Sequence, residues 1–123
     1  MPQYAPPLRD MQFLLHEVFD VCAHYKDTSR YAEVDADTIN AVLEEGGRFA
    51  AEVAFPLNMT GDSEGCVLDR DTHEVATPQG FRQAYAQYVE GGWPALSCDP
   101  EHGGQGLPAA FDVLGIGLPE TLG

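Results

Sequence analysis

Gly91-Gly92-Trp93-Pro94-Ala95-Leu96-Ser97-Cys98-Asp99-Pro100-Glu101-His102-Gly103-Gly104-Gln105-Gly106-Leu107-Pro108 is the stretch on which the reading of this chain turns. It carries the only tryptophan, together with five glycines and three prolines, and so cannot be an ordinary helix. Gly91-Gly92 stops whatever precedes it, while Pro94 and Pro100 each remove a backbone donor and fix φ. Between the prolines lies a short apolar piece, Trp93 to Leu96. The glycine turn that follows can reach positive φ or admit a close neighbour. Helical pattern fills much of the chain before this stretch, and almost none follows it.

Working back from Gly91, Phe81, Ala84, Tyr85, Tyr88 and Val89 recur at helical spacing, and Thr77-Pro78 predicts the helix start, Thr as N-cap and Pro at the first position. The aromatic stripe Phe81, Tyr85, Tyr88 reads as core. Residues 58–75 read as a loop, with extended pieces at Cys66–Leu68 and Glu74–Ala76 joined by an Asp69–His73 hairpin turn. Pro56 is expected to end a helix that Asp35 or Asp37 caps and that carries Ile39, Val42, Leu43, Phe49, Ala50, Val53 and Ala54. Gly46-Gly47 in its middle costs about 1 kcal/mol per glycine relative to alanine. The pair therefore points to a neighbouring helix crossing close by, not to phosphate binding. Upstream, Pro6-Pro7 open a third helix, with Leu8, Met11, Leu14, Leu15, Val18, Phe19, Val21, Cys22 and Tyr25 predicting one amphipathic element of about five turns. The expected fold class is mostly α: a small helical bundle of three main helices, a short hairpin excursion and a Gly/Pro-rich C-terminal segment.

A chain of 123 residues is one domain at most, and 44% hydrophobic residues is too many for a disordered one. Six Lys and Arg against twenty Asp and Glu give a formal charge of −14. That balance excludes binders of nucleic-acid phosphate or anionic membranes, which need a basic face. With no apolar run of membrane-spanning length and no secretory leader at Met1-Pro2-Gln3-Tyr4, a cytoplasmic protein is expected. Cys22, Cys66 and Cys98, with no CxxC pair, fit reduced thiols.

No catalytic, cofactor-binding or metal site emerges. His16 and His24 stand eight apart, whereas a helical metal pair needs three or four, so they read as surface or boundary histidines. Asp62, Glu64, Asp69 and Asp71 lack the alternate-position order of a calcium loop. Gly103-Gly104-Gln105-Gly106 has neither the dinucleotide-fold spacing nor a following Lys-Ser/Thr, and Lys26 is the only lysine. Cys98 and His102 are separated by Pro100, and nothing marks a third partner for a nucleophile–base pair.

Three pieces nevertheless resemble one family. Tyr4–Val18 (YAPPLRDMQFLLHEV) resembles the N-terminal extension of one branch of the acyl-CoA dehydrogenases, the branch that includes enzymes acting on 3-methylmercaptopropionyl-CoA. Phe55–Leu68 (FPLNMTGDSEGCVL) and Thr77–Pro108 are similar to the P-L-N…G-D…G-C loop and the G-W…G-G-x-G-L-P turn of the same branch. The resemblance implies an extension over 1–34, the start of the family's N-terminal helical domain over 35–110, and a divergent tail over 111–123. It further implies an FAD flavoprotein that removes two hydrogens from an acyl-CoA and passes electrons to a partner. In the family, flavin lies between later domains and the catalytic glutamate in the last of them. None of these maps onto this chain, so no cofactor is expected here. Phe111–Gly123, with Gly115, Gly117 and Pro119, has no helical period, which makes a truncated or frameshifted copy the expectation. Such a copy would be inactive alone. It would pair with an intact relative, or self-associate through apolar helix faces left exposed.

Overall fold

A computed structural model describes residues 3–112. These residues are mainly helical, with one two-stranded antiparallel hairpin. Pro6-Pro7 open the first helix as expected, Leu8 N donating to the Pro6 carbonyl (2.8 Å) and Met11 N to that of Pro7 (3.1 Å). The single five-turn helix does not form. Instead α1 (Leu8–Gln12) widens into a π-turn (Phe13–Val18) and stops, and α2 (Val21–Lys26) starts afresh. The break falls at Asp20, which adopts the left-handed conformation (φ 45°), one that aspartate tolerates better than most residues. Apolar periodicity ran through the break, but its positions are divided. Leu8, Met11, Leu15, Val21 and Cys22 pack on the core, whereas Phe13, Leu14, Val18 and Phe19 stay exposed.

Of the two candidate caps, Asp35 is the one used. Its Oδ1 accepts from Thr38 N at 2.8 Å at the start of α3 (Ala36–Phe49), and that bond holds the carboxyl below the usual aspartate range. Ile39, Leu43, Gly46, Gly47 and Ala50 are buried along one face. The glycine pair marks the expected crossing: a Cβ on Gly47 would lie 3.0 Å from Pro6 Cγ and 3.1 Å from Leu8 Cδ2.

Pro56 does not end the helix. The backbone widens into a π-turn over Ala50–Ala54, with Phe55 N bonded to the Ala50 carbonyl (2.8 Å), and α4 (Pro56–Glu64) continues to Gly65. Proline thereby occupies a first-turn position, where its missing N–H is not required. Asn58–Glu64 is consequently helical rather than loop. The three longest helices are α3, α4 and α5; α3 and α5 are two of the three that the apolar pattern suggested, and α4 stands in place of the long N-terminal one.

The hairpin forms where expected, β1 (Val67–Leu68) pairing with β2 (Val75–Ala76) in the register Val67–Ala76 and Leu68–Val75. Both strands are exposed. Helix α5 (Phe81–Glu90) begins at Gly80 (φ 90°), so Thr77 is not its N-cap. That φ calls for glycine, and Leu57 Cδ2 of α4 would lie 2.7 Å from a Cβ there.

Past α5, Gly91-Gly92 end the helix, and short 3₁₀ turns at Trp93–Ala95 and Pro100–His102 follow. The glycine turn folds back on this segment. Gln105 N, Gly106 N and Leu107 N donate to the carbonyls of Ala95, Cys98 and Leu96 at 3.0, 2.9 and 2.9 Å. Gly104 sits directly on the Cys98 carbonyl, leaving no room for a side chain. The doubled-back segment delivers Leu96 into the core with Ile39, Leu43 and Phe111, and Trp93 and Leu107 pack at its edge. Phe111, assigned by the sequence reading to the tail, is thus part of the core; the rest of that tail, 113–123, lies outside the described residues.

Candidate functional site

An open groove of about 750 Å³ with an apolar lining lies between the end of α3, α4 and α5. Phe49, Ala54 and Leu57 form one wall, and Phe81, Ala84, Tyr85 and Tyr88 the other. The second wall is one helical stripe, since positions i, i+3, i+4 and i+7 share a face. Gly61 sets the floor: a Cβ there would come 2.8 Å from Phe81 Cζ. At the α3 end Phe49 and Tyr88 meet at 6.0 Å between ring centroids, and Tyr85 lies 6.5 Å from Tyr88. Asn58, Asp62 and Cys66 are the polar members.

The expectation that Phe81, Tyr85 and Tyr88 are core is therefore corrected. Phe81 is 37% and Tyr85 67% exposed, and α5 has no buried residue. The helical spacing was legible, but the core cluster of Ile39, Leu43, Leu96 and Phe111 takes in no residue of α5. The opposite wall was missed because Pro56 was read as a stop. Phe49-x₇-Leu57-x₃-Gly61, read across the proline as one helix, was the available signal.

The residues weighed for chemistry are not brought together. His16 is half-buried, its Nε2 2.8 Å from Asn40 Oδ1, while His24 is exposed beside the Tyr25 ring. The Asp69 carboxylate is engaged by backbone: Oδ1 accepts from Asp71 N (2.8 Å) and Thr72 N (3.1 Å), which holds its carboxyl below the usual range. Glu64 Oε2 accepts from Gln79 N at 2.9 Å, tying α4 to the entry of α5. Among the described residues no three His, Cys, Asp or Glu side chains form a metal-ligating group. Cys98 and His102 are both exposed. Asp99, between them, caps the 3₁₀ turn by accepting from Glu101 N (2.9 Å) and lies 3.9 Å from Arg30 Nη2. Burial pushes the Tyr25 hydroxyl up, with Tyr31 and Cys22 adding to the effect. The groove itself is apolar and aromatic, with one carboxamide, one carboxylate and one thiol.

No family model matches the chain. It is, however, 40% identical over 119 residues, 97% of its length, to 3-methylmercaptopropionyl-CoA dehydrogenase of Ruegeria pomeroyi. The chain belongs to the acyl-CoA dehydrogenase family. A broad-specificity linear acyl-CoA dehydrogenase of Mycobacterium tuberculosis is 31% identical over 110 residues (89% of the chain), and butyryl-CoA dehydrogenase of Syntrophomonas wolfei 33% over 95 (72%). This acyl-CoA dehydrogenase homologue spans only 19%, 18% and 15% of the length of those three relatives.

Proposed function

We propose that these 123 residues are an N-terminal portion of an FAD-dependent acyl-CoA dehydrogenase and are catalytically inactive alone. Residues 1–34 would be the extension and 35–110 the start of the helical domain. The observation that carries the reading is the coverage: almost all of this chain aligns, but with about a fifth of the first relative. The described residues do not fit a flavin diphosphate. The glycine turn is the natural cradle, yet the amides of Gly103, Gly104, Gln105 and Gly106 already donate to the carbonyls of Pro100, Asp99, Ala95 and Cys98. A phosphate there would have to displace the fold. Acyl-CoA oxidation and electron transfer to a partner are thus proposed for a longer dehydrogenase polypeptide, in the cytoplasm. No helix among the described residues is long and apolar enough to cross a membrane.

The test is the visible absorbance of the purified 123-residue chain, with turnover of acyl-CoA measured against an artificial electron acceptor. No flavin band and no turnover are expected. A stoichiometric flavin spectrum or acyl-CoA-dependent reduction would refute the proposal.

A second reading, a non-catalytic helical module that pairs with an intact relative, is favoured by one observation. Among the described residues eleven large hydrophobic side chains are exposed, against six buried hydrophobic residues. Such surface is ordinarily covered. Without a partner, the face formed by Phe13, Leu14, Val18 and Phe19 would drive self-association, which salt would strengthen by screening the −14 charge. Co-expression with an intact dehydrogenase tests the pairing, which fails if the two never co-purify.

A further inference from the structure

We propose that two copies of this chain pair by exchanging their N-terminal arms, residues 3–19 of each seating on α3 of the other. The seat and its occupant are both on the chain. Tyr4 stacks on Phe55 with ring centroids 5.9 Å apart, and Pro6 and Leu8 press on Gly47, where a Cβ would lie 3.0 Å from Pro6 Cγ. Leu8, Met11 and Leu15 pack against the core of Ile39 and Leu43, and His16 Nε2 meets Asn40 Oδ1 at 2.8 Å. A second copy carries the same arm in the same shape, so each of these contacts can be made between copies.

The joint between arm and body favours exchange. Phe19 is helical (φ −97°, ψ −18°) and α2 is helical from Val21, so Asp20 alone (φ 45°, ψ 56°) separates the two helices. Its side chain does not cap α2, and the left-handed backbone is unfavourable for a residue with a Cβ. Rotating this one residue into the right-handed region joins α1, its π-turn and α2 into the single helix that the apolar spacing from Leu8 to Tyr25 specifies. The joined helix carries the arm off its own α3, while α2, with Tyr25 buried, stays in place. A short strained hinge of this kind invites swapping. Phe13, Leu14, Val18 and Phe19, exposed in the closed chain, lie on the segment that passes between the copies. The arm's own contacts are equal in number before and after exchange. The balance is therefore set by two relieved hinges and newly covered apolar surface, against repulsion between two charges of −14 that salt screens. The proposal rests on neither functional reading above.

The experiment compares Asp20→Gly with Asp20→Ala in the full chain. Both remove the same carboxylate and leave the exposed face intact. Glycine accepts the left-handed backbone and keeps the arm closed, whereas alanine disfavours it and favours the joined helix. Each chain is refolded at high concentration in salt and followed by sedimentation equilibrium. Wild type and Asp20→Ala should dimerise. Two hinges at about fivefold each should give Asp20→Ala a dimer dissociation constant about 25-fold below that of Asp20→Gly. Circular dichroism verifies that each variant folds; if Asp20→Ala does not, wild type against Asp20→Gly makes the same comparison. Equal dimerisation whatever residue stands at the hinge, or monomers throughout, overturns the proposal. So does a dimer that Phe13→Ser dissolves and Asp20→Gly does not, since the copies would then meet face to face with their arms closed.

Discussion

Truncating Leu96 to Ala tests the central packing relation, that the Gly/Pro segment forms the underside of the α1–α3 core. Leu96 is 5% exposed and packs with Ile39, Leu43 and Phe111. Removing its three outer carbons forfeits about 2.4 kcal/mol of transfer free energy at about 0.8 kcal/mol per methylene. The residual cavity raises the loss to about 3 kcal/mol, inside the range of about 2–5 known for such changes. Domains of this size have about 5–15 kcal/mol in all. One side chain from a segment without a regular helix therefore carries a large share. The assay is urea denaturation followed by far-ultraviolet dichroism and by the fluorescence of Trp93, which sits against the same core. With a slope of about 1.5 kcal/mol per molar, the midpoint should fall about 2 M at unchanged slope. The control is Leu68→Ala, on the hairpin and 56% exposed, which should cost about 0.5 kcal/mol or less. If Leu96→Ala moves the midpoint no further than Leu68→Ala, the segment is not part of the core and the reasoning fails.

Two further outcomes follow from the backbone and from the capping carboxylates. Gly104→Ala should destabilise by more than about 2 kcal/mol, because its Cβ would overlap the Cys98 carbonyl, whereas Gly103→Ala, at φ 85° in open space, should cost about 1 kcal/mol. Thermal denaturation of the two variants decides, and equal losses would show that the fold-back of the glycine turn is not tight. Asp35 and Asp69 have folded pKa values below their unfolded ones, so the stability they lend is present above the ordinary aspartate range and is lost as pH falls through the folded values. The amide resonances of Thr38 and Thr72 should therefore titrate with midpoints under about 3.9; midpoints at or above it would remove both carboxylates from their capping roles.

How much was legible can be argued residue by residue. Asp35 as a cap, Gly46-Gly47 as a crossing, the Asp69–His73 turn and the stop at Gly91-Gly92 all rest on local stereochemistry, and the structure has each. The misreadings share one cause: a local rule was applied where a neighbour or a wide turn changed its terms. Pro56 breaks a regular helix, but a preceding π-turn makes it a start. Thr77-Pro78 looks like a cap, yet α5 starts three residues later, at Gly80 in a left-handed conformation (φ 90°). The groove was half visible, as the stripe on α5, and half hidden with α4.

By itself, then, the sequence determined the helical class, the hairpin, the family kinship and the irregularity of Gly91–Pro108, because periodicity, turn chemistry and motif order are local properties. Only the tertiary structure decided which apolar faces are buried. Leu96 and Phe111 enter a core shared with α1 and α3, while Tyr85 and Phe19, equally apolar in the sequence, remain outside. Burial depends on whether a second surface arrives at van der Waals distance, and that depends on where chain segments far apart in sequence meet.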